Sequence, residues 1–175
     1  VGSLSAKAVI LKDGLVRSWH VIYAKLDPEE SAREVMGKAL EKADLDQGDI
    51  DFLVATGYGR NAVPFAHASE SEIACHGRGA SWLAPQVRTV IDIGGQDAKA
   101  LRVDSCGRVV RYAYNDKCAS GTGRFLEIMA GAMGLDVSDM GPASENAINP
   151  VAISNQCVVF AETEIISLIN EGRDK

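Results

Sequence analysis

The order of predicted secondary-structure elements repeats once along the chain, and this repetition strongly constrains the fold. Two strand-like segments joined by Asp13-Gly14, a typical hairpin turn, precede a helix that begins near Pro28. From Thr89 three strand-like segments precede a helix that follows Cys118. This period is far above the roughly 20 to 50 residues of solenoid repeats. The sequence therefore predicts an α/β protein with a duplicated topology, whose first copy lacks its opening strand.

Charge and hydropathy exclude two classes of partner. The formal net charge is -6 over 175 residues, so we expect neither nucleic acid nor an anionic membrane to bind. No apolar run approaches the roughly 20 residues that a membrane span needs, and no secretory leader is visible. These observations predict a cytoplasmic protein. Because the chain starts without Met and stops abruptly, we also expect it to be a fragment truncated at both ends.

The chain has four cysteines, Cys75, Cys106, Cys118 and Cys157, without CxxC spacing. In a cytosolic chain this pattern favours free, metal-bound or catalytic thiols over disulfides. Cys75 is followed by His76, but adjacent helix positions point in different directions, so a core thiol and a surface histidine are expected there. Cys106 lies in a predicted hairpin turn and is expected to be exposed.

A glycine turn joins the first two predicted strands of the second copy. Gly94 and Gly95 let backbone N–H groups approach an anion closely, as in a phosphate nest. The carboxylates of Asp92 and Asp97 are suited to hold a hydrated Mg²⁺. Gln96 is placed to orient a water for attack on a phosphoryl group, so Gln96 and Asp97 are the predicted catalytic residues. From spacing alone, a hairpin turn that merely needs glycine is an equal alternative.

The first copy has a corresponding turn at Gly2 and Ser3, before a predicted strand that carries Lys7. Two such turns that face each other across a cleft would both contact phosphate. We therefore assign Gly2, Ser3 and Lys7 to cofactor binding, together with the turn of the second copy.

The segment around Cys118 places a thiol at or just before a helix N-terminus. Small residues follow Cys118, and an apolar-periodic segment begins at Phe125. The positive end of a helix favours a thiolate, which binds metal or attacks as a nucleophile. Cys157 lies in the apolar stretch 153–160, and the residues alone favour a buried, inert thiol there.

Four motifs together resemble one protein family. They are Ala55–Arg60, Val90–Asp97, Asn115–Phe125 and Phe160–Glu164. In this order they are similar to the motifs of the BadF/BadG/BcrA/BcrD ATPase family. That family includes activators of 2-hydroxyacyl-CoA dehydratases and ATP-hydrolysing subunits of benzoyl-CoA reductases.

The resemblance implies the duplicated actin, Hsp70 and sugar-kinase fold, which is RNase H-like. It also implies a homodimer that shares one [4Fe-4S] cluster between its subunits. The cluster ligands of the family fall on Cys118 and Cys157 here. A cluster of this kind needs four thiolates, so two from each subunit of a twofold dimer suffice. ATP and Mg²⁺ are the other implied cofactors.

On this interpretation residues 1–87 form the first lobe of the ATPase fold, and residues 88–175 form part of the second lobe. The second lobe carries the phosphate turn and both cluster cysteines. The resemblance also implies an aspartate before Val1 and a C-terminal Gly-Gly turn that holds adenosine, and neither is within these 175 residues.

The implied function is ATP-driven transfer of one electron in anaerobic metabolism. Ferredoxin or flavodoxin would reduce the cluster, and a 2-hydroxyacyl-CoA dehydratase would receive the electron. An ATPase subunit of benzoyl-CoA reductase is the near alternative. A nucleotide switch without redox chemistry and a small-molecule kinase of the same fold are rivals from other classes.

Overall fold

The computed structural model describes residues 1–115, 117 and 121–174. Strands and helices are mixed along this part of the chain, which confirms the predicted α/β class. The strands are β1 (Ser5–Lys12), β2 (Leu15–Tyr23), β3 (Val54–Ala55), β4 (Ala68–Ser69), β5 (Thr89–Ile93), β6 (Ala98–Val103) and β7 (Val109–Asn115). The α-helices are α1 (Pro28–Ala43), α2 (Glu72–Leu83), α3 (Gly123–Met133), α4 (Val137–Glu145) and α5 (Val158–Asn170). Single 3-10 turns cover Gln47–Asp49 and Arg60–Ala62.

The chain divides into two compact units. The first comprises residues 1–88 and 103–110, and the second comprises residues 89–102 and 111–175. In the described part of the chain, no helix is both long enough and apolar enough to cross a membrane.

In the first unit an antiparallel hairpin of β1 and β2 packs on α1. The turn residues Asp13 and Gly14 have φ values of 53° and 76°, which is the left-handed backbone that a two-residue hairpin requires. Ile10 of β1 is buried against Ala39 and Leu40 of α1. The predicted hairpin is therefore confirmed.

The N-terminus of α1 also follows the sequence pattern. Asp27 is the N-cap residue, and its carboxylate accepts a hydrogen bond from Glu29 N at 2.8 Å. Such a bond satisfies one of the backbone donors that a helix start leaves unpaired. Pro28 occupies the first helical position, where its missing N–H costs nothing.

The apolar segment 51–56 predicts a short buried strand, and this strand is shorter in the structure. Only Val54 and Ala55 form β3, which pairs in parallel with β4. Ala55 is buried in a small cluster with Ala32 and Val63. The parallel ladder between β3 and β4 contains only two residue pairs, so most of the predicted strand is irregular.

In the second unit β5, β6 and β7 form a three-stranded sheet in that order, with β5 and β6 antiparallel. Helices α3 and α5 pack together through Met129, Ala161 and Ile165, all buried. The sequence predicts a loose connection with one helical turn over 131–150, but this segment contains the nine-residue α4. Met140 of α4 packs on the α3–α5 cluster, and this tertiary contact stabilises a helix despite an internal proline.

Candidate functional site

The predicted glycine turn lies between β5 and β6 in the structure. Gly94 N donates to Asp97 O at 2.9 Å and closes the turn. A Cβ atom at Gly94 would overlap Asp97 Oδ1, so any other residue there would require the Asp97 carboxylate to shift. In the described part of the chain, the backbone amides of Gly95 and Gln96 donate no hydrogen bond. These two amides are consistent with a phosphate nest, and the Gln96 side chain beside them is exposed.

A buried lysine neutralises the acidic residues of this turn. The Lys99 side chain is 3% exposed, and its Nζ lies 2.8 Å from Asp97 Oδ2 and 3.7 Å from Asp92 Oδ2. Tyr114 Oη donates to Asp97 Oδ2 at 3.3 Å, and Lys99 Nζ lies 5.4 Å from the centre of the Tyr114 ring. The two carboxylates that the sequence predicts as Mg²⁺ ligands therefore share one protein cation.

Sequence reasoning missed Lys99 and Tyr114 as members of the site. One signal was available for Lys99, because Leu101 and Val103 alternate with exposed residues along β6 and are buried. Successive residues of a strand point to opposite faces, so Lys99 shares the buried face. A charged residue at a buried position implies a charged partner nearby. No comparable local signal marks Tyr114.

The start of helix α3 is attached to the glycine turn. Gly123 N donates to Gly94 O at 2.8 Å, and Arg124 N donates to Gly95 O at 2.9 Å. A Cβ atom at Gly123 would lie 3.1 Å from Gly94 O, which is unusually close. The N-cap residue Thr122 is fully buried, and its Oγ1 accepts from the amide of the third helical residue at 3.2 Å. The first turn of α3 therefore uses its amides within the protein.

The structure describes one of the two predicted cluster cysteines. Cys118 lies outside the described residues. Cys157 is a free, half-buried thiol at the N-cap of the 13-residue helix α5. Its carbonyl accepts from Ala161 N at 3.1 Å, and its side chain makes no capping hydrogen bond. This position fits a thiolate ligand, because the positive end of a helix stabilises negative charge.

The described residues contain no group of three or more His, Cys, Asp or Glu side chains that could hold a metal ion. A [4Fe-4S] cluster at Cys157 therefore needs ligands beyond those that this part of the chain brings together. Cys75 and Cys106 are not predicted cluster ligands. Cys106 is exposed in a hairpin turn, as predicted, whereas Cys75 is half-buried rather than a core thiol. The neighbouring His76 is exposed.

The turn of the first copy is held by backbone hydrogen bonds. Gly2 N donates to Ser5 O at 3.0 Å, and Val1 O accepts from Gly59 N at 2.9 Å. Ser3 is exposed before β1. Lys7 is also exposed, on β1, and its ammonium contacts the Ser5 hydroxyl. Their role in phosphate binding stays a prediction.

Comparison with known proteins gives relatives that include dehydratase activators and a benzoyl-CoA reductase subunit. The 2-hydroxyisocaproyl-CoA dehydratase activator of Clostridioides difficile is 46% identical over 174 residues, which cover 98% of this chain and 65% of that protein. The (R)-2-hydroxyglutaryl-CoA dehydratase activating ATPase of Acidaminococcus fermentans is 43% identical over 177 residues, covering 100% and 67%. A benzoyl-CoA reductase subunit of Thauera aromatica is 37% identical over 146 residues, covering 83% and 51%.

Two solved structures match the fold. Component A of the A. fermentans (R)-2-hydroxyglutaryl-CoA dehydratase has a TM-score of 0.88 at 42% identity, covering 100% of this chain and 68% of that one. The C. difficile 2-hydroxyisocaproyl-CoA dehydratase activator with bound ADPNP has a TM-score of 0.87 at 43% identity, covering 99% and 65%. These matches confirm the predicted actin, Hsp70 and sugar-kinase fold.

This chain spans 65% of the length of the C. difficile dehydratase activator. The family model nevertheless matches residues 1–175 throughout. The glycine turn and the helix starts described above are parts of that matched region. The chain belongs to the BadF/BadG/BcrA/BcrD ATPase family.

Proposed function

We propose that this chain is the nucleotide-binding part of an ATP-hydrolysing iron–sulphur protein that activates a 2-hydroxyacyl-CoA dehydratase by one-electron transfer. The names of its relatives support this function, since two of them are a dehydratase activator and a dehydratase activating ATPase. The structure adds one observation on which the proposal chiefly rests. The glycine turn that would contact phosphate is hydrogen-bonded to the helix that follows the Cys118 segment.

The nucleotide site of the proposal is the turn between β5 and β6. The amides of Gly95 and Gln96 would contact phosphate oxygens, and the exposed Gln96 side chain would orient the attacking water. A relative of 43% identity has been solved with bound ADPNP, which supports a nucleotide site in this fold. In the first copy, Gly2, Ser3 and Lys7 would also contact phosphate.

Mg²⁺ fits this turn only in company with the nucleotide. The ion prefers six oxygen ligands and commonly binds through one or two carboxylates together with substrate phosphates. Asp92 and Asp97 supply the carboxylates, but both face the Lys99 ammonium. When bound, Mg²⁺ would neutralise charge that develops on the transferred phosphoryl group.

The hydrogen bonds from α3 to the glycine turn explain how nucleotide would affect the cysteine segment. Gly94 O and Gly95 O accept from the first two amides of α3, so a shift of the turn must move the helix start or break both bonds. Cys118 stands four residues before the N-cap residue Thr122 in the sequence. Phosphate contacts that move a packed element are a common switching device.

Cys118 and Cys157 from each of two identical subunits would hold the proposed cluster. A [4Fe-4S] cluster carries one electron at a time and is held by four thiolates. Cys157 lies at the N-cap of α5, where the positive end of the helix would stabilise the negative charge of a bound cluster. Reduction by ferredoxin or flavodoxin and delivery to the dehydratase complete the proposed electron path.

A second candidate function is that of a benzoyl-CoA reductase ATPase subunit. It is supported by the 37% identity to a subunit of the T. aromatica benzoyl-CoA reductase. The two candidates share the nucleotide turn and the cluster, and they differ in the enzyme that accepts the electron. A nucleotide switch without redox chemistry or a kinase would need no cluster at all.

The proposal is tested first on the full-length protein, purified without oxygen. Iron and sulphide are measured per dimer in the wild type and in Cys118→Ala and Cys157→Ala. We expect about four of each in the wild type and a loss of both in either variant. Cys106→Ala is the matched control, because this exposed thiol lies in a hairpin turn and should leave the cluster intact.

Electron delivery is tested next with purified acceptor enzymes. The reduced protein and ATP are mixed with a 2-hydroxyacyl-CoA dehydratase or with the catalytic part of a benzoyl-CoA reductase, and cluster oxidation is followed by absorbance. ATP-dependent oxidation by only one of them identifies the partner. A colourless dimer that hydrolyses ATP but takes up no iron after reconstitution contradicts the redox function and leaves a switch or kinase.

A further inference from the structure

The Lys99 side chain is more deeply buried than the Asp92 and Asp97 side chains that it contacts. Its side chain is 3% exposed, and on the antiparallel ladder it lies directly opposite Asp92. Its Nζ is 2.8 Å from Asp97 Oδ2. Because an unpaired buried charge would be very costly, carboxylates this close stabilise the buried ammonium. The proposed function gives this ammonium group no role.

We propose that Lys99 is the resident counter-cation of the Asp92–Asp97 pair, which admits a divalent cation only together with nucleotide phosphates. The inference deepens the proposed function and rests on it, because it concerns the same turn. It predicts an order of binding that an ordinary structural ion pair would not impose. Its experiment needs no ATP hydrolysis and no iron–sulphur cluster.

The hydrogen bonds of Asp97 explain why a free divalent cation is excluded. Asp97 Oδ2 interacts with Lys99 Nζ at 2.8 Å and accepts from Tyr114 Oη at 3.3 Å. Its Oδ1 is packed over Gly94, where a Cβ atom would overlap it. A hydrated ion that bound this carboxylate would have to displace the ammonium. It would also place a second positive charge close to the buried ammonium.

Nucleotide phosphates remove this obstacle because they bring negative charge to the same turn. Phosphate oxygens accept strong hydrogen bonds from an ammonium group, so they would offset the repulsion between Lys99 and the bound ion. They would also complete the coordination of an ion that the two carboxylates hold incompletely. The metal and the nucleotide should therefore bind as a unit, and the turn stays electrostatically balanced when both are absent.

The experiment uses the full-length protein and Mn²⁺ as the probe, with bound ion measured by electron paramagnetic resonance. Nucleotide-free wild type, Lys99→Met and Lys99→Arg are titrated, and the wild type is titrated again with ADPNP. Methionine has a similar shape without charge, whereas arginine keeps the charge. We expect Lys99→Met to bind Mn²⁺ about tenfold or more tightly than the nucleotide-free wild type, because one repulsive charge is removed. Lys99→Arg should behave like the wild type.

A folded Lys99→Met protein that binds Mn²⁺ no more tightly than the wild type overturns the inference. The circular dichroism spectrum establishes folding. If Lys99→Met does not fold, Mn²⁺ binding to the wild type is compared with Mn²⁺ binding to Asp97→Asn. Nucleotide-free wild type that binds Mn²⁺ as tightly as it does with ADPNP, at a site lost in Asp97→Asn, overturns the inference. Mn²⁺ uptake that requires ADPNP in the wild type supports it.

Failure of the proposed function and failure of the Lys99 inference would give different results. A protein that binds no ADPNP at all contradicts the nucleotide site, yet the comparison of wild type with Lys99→Met still measures the counter-cation. Conversely, an ATP-hydrolysing cluster protein in which Lys99→Met has no effect on Mn²⁺ keeps its function and loses this inference.

Discussion

The amide nitrogen of Gly123 donates to the carbonyl oxygen of Gly94 over a distance of 2.8 Å. These two residues are far apart in sequence, yet this bond and its neighbour join the first turn of α3 to the β5–β6 turn. The contact leaves little room at Gly123, where a Cβ atom would lie 3.1 Å from Gly94 O. It is the feature through which nucleotide and the cysteine segment would influence each other.

Gly123→Ala should weaken this junction. The new Cβ would lie 3.1 Å from Gly94 O, so either the helix start or the turn must shift. We expect the free energy of unfolding to fall by about 1 kcal/mol, as for other overpacked sites. The KM for ATP should rise at the same time. Urea denaturation and steady-state ATP hydrolysis measure the two effects.

Gly131→Ala is the matched control for this prediction. Gly131 lies in the same helix, and a Cβ atom there meets no other atom within 4 Å. The substitution should stabilise the protein by up to about 1 kcal/mol through helix propensity and leave the KM for ATP unchanged. Equal effects of both substitutions would show that the junction has no particular importance.

Gln96→Leu should lower kcat for ATP hydrolysis by about 10²-fold, if its amide orients the attacking water. Because the side chain is exposed, we expect little change in the unfolding free energy or in the KM for ATP. Gln86→Leu, at another exposed glutamine, is the control. An unchanged kcat in Gln96→Leu would remove Gln96 from the catalytic residues.

Thr122→Ala should destabilise the protein by about 1 kcal/mol, because the amide of Phe125 loses its capping acceptor in a buried position. Thr122→Ser keeps the hydroxyl and should recover most of the loss. Asp136→Ala is the comparison, since Asp136 occupies the N-cap of α4 without a side-chain capping bond. Urea denaturation that shows equal losses for Thr122→Ala and Asp136→Ala would contradict the capping argument.

Glu34 should make stability depend on pH in the acidic range. Hydrogen bonds from the ammonium groups of Lys25 and Lys38 lower the pKa of its carboxyl from 4.5 to about 2. A lowered pKa contributes stability above the unfolded value, and this contribution is lost as pH falls from 4.5 towards 2. Because the Glu34 side chain is 30% exposed and pairs at the protein surface, the effect should be small and sensitive to salt.

Thermal unfolding of Glu34→Gln against the wild type measures this effect. The difference in Tm should be present at neutral pH and should narrow to zero as the pH approaches 2. Glu41→Gln, in the same helix, serves as the control, because Glu41 makes no ion pair in the described part of the chain. A gap between wild type and Glu34→Gln that stays constant with pH would contradict the ion pairs at Lys25 and Lys38.

Several elements followed directly from local sequence patterns. Asp13-Gly14 predicted the first hairpin, and Asp27-Pro28 predicted the start of α1, since both depend on backbone preferences of neighbouring residues. The glycine turn before β6 was located for the same reason. The motifs also predicted the family, because their order along the chain is itself a property of the sequence.

Other features were decided by tertiary structure. Local rules predicted no helix of the length of α4, since Gly141 and Pro142 disfavour it, but packing of Met140 outweighs that preference. The position of Lys99 between two carboxylates depends on the register of β5 against β6. The bond between Gly123 and Gly94 joins residues distant along the chain. Local patterns encode backbone preference, whereas such contacts depend on which distant elements the whole fold brings together.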